Sequence, residues 1–238
     1  MFTWICKPLA CCVALIGLAG CLAAPVTSQR DTRHTTGLRS VAVADKSVVI
    51  GGPDGYCIDK TASRLRGDTA FILLGSCTII SGDDHDAVPQ VPGILTASID
   101  QKSAATVTPR LLDQFAGFVI SDAGRAVLAR DGRTESVTVQ GVLRERDAVL
   151  IHLTDTSAFQ IPGIEPTYWR GIFALNGRLI SASVLGFQDH PLGPTEGLAT
   201  LEAFLEQIRT KTSLPLVAAD GVAKEPIPKR IRRRSMIW

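Results

Sequence analysis

Apolar positions along this chain recur at strand spacing, then at helix spacing, then at strand spacing again, and finally in one helical stripe. Strands begin near Leu38: Val41 and Val43 alternate with small residues, and Val48 to Ile50 follows a turn around Asp45. Gly51-Gly52-Pro53-Asp54-Gly55 is a strong breaker. The run from Thr69 to Ile80 (TAFILLGSCTII) is apolar on both parities and predicts a central strand covered on both faces. Gly93 to Asp100 predicts a further strand. Thr108 can then cap a helix with Pro109 in its first turn and an apolar stripe of Leu111, Leu112, Phe115, Phe118 and Val119. Ser121 can cap a second, shorter helix that stops at Asp131-Gly132.

Four strand-like segments follow. Ser136 to Glu145 places Val137, Val139 and Leu143 on one side and Ser136, Thr138, Gln140 and Arg144 on the other, the pattern of an antiparallel strand with one wet face. Ala148 to Thr154 predicts its partner. Tyr168 to Leu175 and Arg178 to Phe187 are joined by Asn176-Gly177, a strong hairpin signal because a type I′ turn needs two positive φ angles. Leu198, Leu201, Phe204, Leu205 and Ile208 share one face of a closing helix that ends near Thr212, before Pro215. This order predicts an α+β fold: a mainly antiparallel sheet with helices packed on it and a C-terminal hairpin followed by a helix. Strand–helix alternation of the doubly wound kind is missing.

Charge divides the chain more sharply than its net value of +2 suggests. Lys7 aside, residues 21–223 carry 18 Lys+Arg against 22 Asp+Glu, whereas residues 224–238 carry six basic side chains and one acid, Glu225. A nucleic-acid-binding domain would carry its basic face in the folded part, so no nucleic-acid partner is expected. The tail KRIRRRSMIW holds Lys229, Arg230, Arg232, Arg233 and Arg234 beside a terminal Trp238. That pattern suits either an anionic lipid surface or a solvated, disordered segment.

The N-terminal region fixes the expected compartment. A lone Lys7 precedes an apolar run from Leu9 to Leu18, the length of a signal-peptide core and too short to span a hydrocarbon layer of roughly 30 Å. Leu18-Ala19-Gly20-Cys21 resembles a bacterial lipobox, and this resemblance implies cleavage before Cys21 and lipidation of that cysteine. Cleavage after Ala23 or Ala24 by an ordinary signal peptidase is the alternative. The expected location is therefore the bacterial envelope, lipid-anchored and facing the periplasm, or else soluble in the periplasm or secreted. Cys6, Cys11 and Cys12 leave with the signal, so only Cys57 and Cys77 remain in the folded body. In an oxidising compartment such a pair predicts a disulfide, with two buried thiols as the alternative. The expected division is a signal peptide (1–20), a tether (21–37), a single α+β domain (38–214) and a basic tail (215–238).

Candidate chemistry is sparse, and no strong catalytic signature is present. Asp83-Asp84-His85-Asp86 is the densest group of metal-ligand types, with Asp84, His85 and Asp86 as the candidates. Adjacent residues point apart, however, and a solvated acidic loop fits as well. His152, with Asp155 nearby in sequence, could act as a general base, and His190 marks a turn beside Pro191. Ser76 lacks the second glycine of a nucleophile elbow, and neither a phosphate-binding loop nor a dinucleotide fingerprint occurs. Trp169, in Tyr168-Trp169-Arg170, could stack a ligand ring or share the core with Phe173. No cofactor is expected.

Two wider likenesses add location and fold. The hairpin and helix of YWRGIFALNGRLISASVLGF and LATLEAFLEQIR resemble the photosystem extrinsic-protein P superfamily over about the last 50 residues. The whole, with Gly55-Tyr56-Cys57-Ile58-Asp59, resembles uncharacterised alphaproteobacterial envelope proteins. The expected function is a non-catalytic envelope lipoprotein with a structural or interaction role, contacting the membrane through its anchor and another envelope protein through its domain. The alternative is a small-ligand- or metal-binding module, or a weak hydrolase, around His85 or His152.

Overall fold

The computed structural model describes residues 37–102, 107–157 and 162–214. The expected signal peptide, Cys21, nearly all of the tether and the basic tail from residue 215, including Lys229 to Trp238, lie outside the described residues.

The elements run β1 (Ser40–Val43), β2 (Val48–Gly51), β3 (Tyr56–Ile58), β4 (Arg64–Arg66), β5 (Thr69–Ser76), α1 (Cys77–Ser81) and β6 (Ile94–Ile99), then α2 (Pro109–Phe118) and α3 (Asp122–Leu128). They continue with β7 (Val137–Glu145), β8 (Ala148–Asp155), β9 (Ile164–Leu175), β10 (Arg178–Phe187) and α4 (Pro194–Ser213). The main sheet has the order β3-β5-β6-β10-β9-β8-β7, with β4 also pairing β5, and every pairing is antiparallel. β1 and β2 form a separate ribbon. The fold is α+β, as the pattern predicts.

Both faces of the sheet bury side chains, but not equally. One face carries Ile72, Leu95, Ala182, Leu150 and Phe173, and onto it pack Leu201, Phe204, Leu205 and Ile208 of α4 together with Val48 and Ile50 of β2. Close approach needs a small residue in β9: a Cβ on Gly171 would lie 3.1 Å from Leu205. The opposite face carries Val149, Ile151 and Leu153, covered by Leu112, Phe115, Val119 and Leu128 of the α2–α3 segment. α2 packs on β7 and β8, and α3 on β7. The helix caps are those expected: the Thr108 hydroxyl accepts from the Leu111 amide at 3.2 Å, and Ser121 from the Gly124 amide at 3.2 Å. Asn176 and Gly177 both take positive φ, 52° and 73°, which closes the β9–β10 hairpin.

Two predicted segments are corrected. Thr69 to Ile80 is not one strand covered on both faces: β5 stops at Ser76, Phe71 is 38% exposed, and Ile79, in α1, is 81% exposed. Register explains the stop. β3 pairs as far as Tyr56 opposite Ser76, and β6 reaches only Leu95 opposite Leu74, so a longer strand would leave its backbone groups unpaired. The Cys77 amide instead donates to the Gly55 carbonyl, and the chain turns into α1. In β7 the register shifts between Val139 and Gly141, so Gln140 is a bulge. A bulge reverses side-chain parity beyond it. Val142, not Leu143, therefore joins Val139 on the α2–α3 face, and Leu143 is 41% exposed opposite Leu150.

Candidate functional site

The acidic loop is occupied with its own structure. His85 is 93% exposed and its Nδ1 lies 3.0 Å from Asp83 Oδ1, an oxygen that also accepts from the His85 amide. Asp86 pairs with Arg39 at 3.5 Å and accepts from the Gly37 amide, tying the loop to the chain that enters β1. Asp84 is exposed. Among the described residues no group of three or more His, Cys, Asp or Glu is placed to hold a metal ion.

His152 and Asp155 are not brought together. They differ by three residues in β8, so they project from opposite faces of the sheet. His152 shares the α4 side of β8 with Ala148 and Leu150, opposite in parity to Val149, Ile151 and Leu153. Its ring stacks on Trp169 at 4.7 Å, with an interplanar angle of 16°. Burial lowers its pKa, and Glu165 opposes that shift only in part. Unfolding frees the imidazole to bind its proton more readily, so this contribution to stability is present above the unfolded pKa of about 6.5 and is lost as the pH falls through it. His152→Gln is therefore expected to reduce the loss of stability between pH 7.5 and 5 relative to wild type. Denaturant midpoints at the two pH values measure this, and equal losses in both proteins would refute it.

Trp169 is core: it is 7% exposed, and its indole Nε1 donates to the Pro194 carbonyl at 2.9 Å. Across the sheet, Tyr168 lies between two guanidinium groups, Arg170 at 5.2 Å and Arg130 at 5.8 Å from its ring centre. Arg170 also donates to the Tyr168 hydroxyl. Asp155 is fully buried, accepts from the Ser157 amide and hydroxyl, and lies 3.7 Å from Arg130 Nε. This network ties Arg130, just past the end of α3, to Asp155 of β8. The Ser76 hydroxyl bonds with that of Thr78, and His190 sits in a solvated turn beside Asp189. Neither residue has a catalytic partner among these contacts.

One surface feature is not legible in the sequence. The α2–α3 cover centres on β7 and β8; on the same face Ser183 and Leu185 of β10 are buried, whereas Arg64 and Arg66 of β4 and Phe71 of β5 are exposed. Register lays its side chains out in rows. Arg64, Phe71, Ser98, Ser181 and Ile172 stand opposite one another across five strands. The row above is Leu73, Thr96, Ser183 and Arg170, and Arg66 faces Thr69 beyond the other end. Arg64, Arg66, Thr69, Phe71, Ser98 and Asp100 line a shallow depression of about 360 Å³. Two further grooves flank α4. In one, of about 600 Å³, partial desolvation and the neighbouring Glu145 raise the Glu202 pKa, but Glu202 is exposed and the groove is open. In the other, of about 560 Å³, burial and Glu196 push the Tyr56 phenol up to about 12, leaving it a neutral donor to the Val91 carbonyl at 2.6 Å.

Compared with known proteins, the chain matches no family model and no curated sequence.

Proposed function

We propose that this protein is a non-catalytic envelope lipoprotein whose domain serves a structural or interaction role. The open face of β4, β5 and β6, continued by Ser181 of β10, carries this reading. It is a broad, shallow surface of hydroxyl, aromatic and basic side chains rather than an enclosed pocket in which ionisable groups converge. Such surfaces suit recognition of an extended partner better than chemistry on a small substrate. The buried Cys57–Cys77 disulfide fits an oxidising compartment, and Leu18-Ala19-Gly20-Cys21 supplies the anchor. Two acyl chains on Cys21 would hold the domain stably at a membrane, where one would not. The basic run from Lys229 to Arg234, with Trp238, adds attraction to an anionic lipid surface of about 1 kcal/mol per charge near it. The domain itself meets another envelope component.

Cys21→Ser is expected to move the protein from the membrane to the soluble fraction. Mass spectrometry of the native N-terminal peptide should find an acylated Cys21. An unmodified peptide beginning after Ala23 or Ala24 would refute the anchor.

A further inference from the structure

We propose that the open sheet face binds an extended acidic polysaccharide, with Arg64 and Arg66 meeting its carboxylate or sulfate groups and Phe71 stacking against a sugar ring. This deepens the interaction role proposed above and rests on it. Three observations set the chemistry of the partner.

The first is charge. The folded part of the chain is net acidic, yet β4 places two arginines on one face, two residues and roughly 7 Å apart. Arg64 donates to the backbone carbonyls of Thr61 and Ser63 and stands near enough to Asp59 to join the Thr61 hydrogen bond in lowering its pKa, while Arg66 is exposed. Their positive charge calls for an anionic partner, and guanidinium groups match planar or tetrahedral oxyanions. The second is the hydroxyl lattice. Ser98 and Ser181 stand opposite one another on neighbouring strands roughly 4.8 Å apart, each able to donate and accept, and Thr69, whose hydroxyl donates to the Arg66 carbonyl, lies two residues along β5 from Phe71. Sugar hydroxyls need both roles, whereas an apolar lipid surface would meet this row as uncompensated polar groups. The third is Phe71, 38% exposed in the middle of the row between Arg64 and Ser98. Its exposed ring offers apolar area to the C–H face of a sugar while the flanking groups take the polar edges. The depression is shallow and open to solvent, so a chain can lie across it.

The basic tail would itself bind any polyanion, so the test removes that charge first. The full chain carrying Lys229→Gln, Arg230→Gln, Arg232→Gln, Arg233→Gln and Arg234→Gln is the background. It is expected to bind polygalacturonate but not neutral dextran, with affinity falling as salt rises. In that background Arg66→Glu and Phe71→Thr are each expected to weaken binding tenfold or more. Arg66→Glu should leave the unfolding temperature unchanged, because Arg66 is exposed. Failure of the background to bind, equal binding of dextran, or undiminished binding by both variants would overturn the proposal. So would binding to phosphatidylglycerol vesicles that Arg66→Glu abolishes, if polygalacturonate does not bind; that result would assign the face to lipid headgroups. Acylation of Cys21 is read separately, so an unacylated protein that still binds polygalacturonate would refute the anchor and keep this inference.

Discussion

Arg178→Ala is expected to cost about 3–5 kcal/mol of folding stability, the largest effect of any single substitution considered in this domain. Arg178 opens β10 immediately after the Asn176-Gly177 turn, yet it is only 3% exposed. Its guanidinium donates to the Ser47 hydroxyl at 2.9 Å, the Asp68 carbonyl at 2.8 Å, the Asp100 carbonyl at 3.3 Å and the Asp68 carboxylate at 3.1 Å. One side chain thus joins three turns that are distant in sequence. The turn around Ser47 needs the support. Ala44, Asp45 and Lys46 all hold positive φ, between 53° and 63°, a conformation that side chains other than glycine adopt at a cost. Asn176 adds a second tie by donating to the Ser47 carbonyl. Removing the guanidinium would strip two backbone carbonyls of a donor. It would also leave the Asp68 carboxyl, now held below its usual range by its hydrogen bond with Asp45 and then by Arg178, facing Asp45 with only the weaker influence of Lys102. Arg178→Lys should recover only part of the loss, because an ammonium cannot span the same fork. Denaturant unfolding with an unchanged slope measures the difference. A loss below about 1 kcal/mol for Arg178→Ala would mean that water replaces the clamp.

The features legible in the sequence are those set within a few residues of one another. Thr108 and Ser121 cap their helices, Asn176-Gly177 turns its hairpin, and the stripe from Leu198 to Ile208 faces the sheet, each by a local rule. His152 and Asp155 are close in sequence, yet strand parity alone places residues three apart on opposite faces. Other features depend on register, which a single strand does not reveal. The bulge at Gln140 exchanges Leu143 for Val142 only because β8 fixes the pairing on both sides of it. β5 ends at Ser76 because its neighbours end there. β4 is three residues long, too short for alternation to show, so Arg64 and Arg66 acquire meaning only when β5 aligns them with Phe71 and Thr69. Arg178 reads as a solvated turn residue until the loops at Ser47, Asp68 and Asp100 close over it.

Loss of the Cys57–Cys77 bond is expected to have the second-largest effect. The bond joins the short strand β3 to the first residue of α1 across 20 residues of chain, with both cysteines fully buried. In the chain-entropy account a loop of that length is worth about 3 kcal/mol through restriction of the unfolded state. Here the bond also holds an edge. β3 has only three residues and pairs only β5 within the main sheet, so without the cross-link little but its backbone bonds and the burial of Tyr56 and Ile58 keeps it in place. The neighbouring chain is built around the sulfur: a Cβ on Gly37 would fall 2.5 Å from Cys57 Sγ, so only glycine passes there without displacing it. The double substitution Cys57→Ala, Cys77→Ala is the appropriate test, since a single replacement leaves a buried thiol. It should lower stability by about 2–4 kcal/mol, and reducing the wild type should bring its denaturant midpoint down to that of the double variant. Peptide mapping without reductant should recover the two cysteines joined. Free thiols at both positions in freshly isolated protein, or a wild type indifferent to reductant, would show that packing alone holds β3 to the sheet.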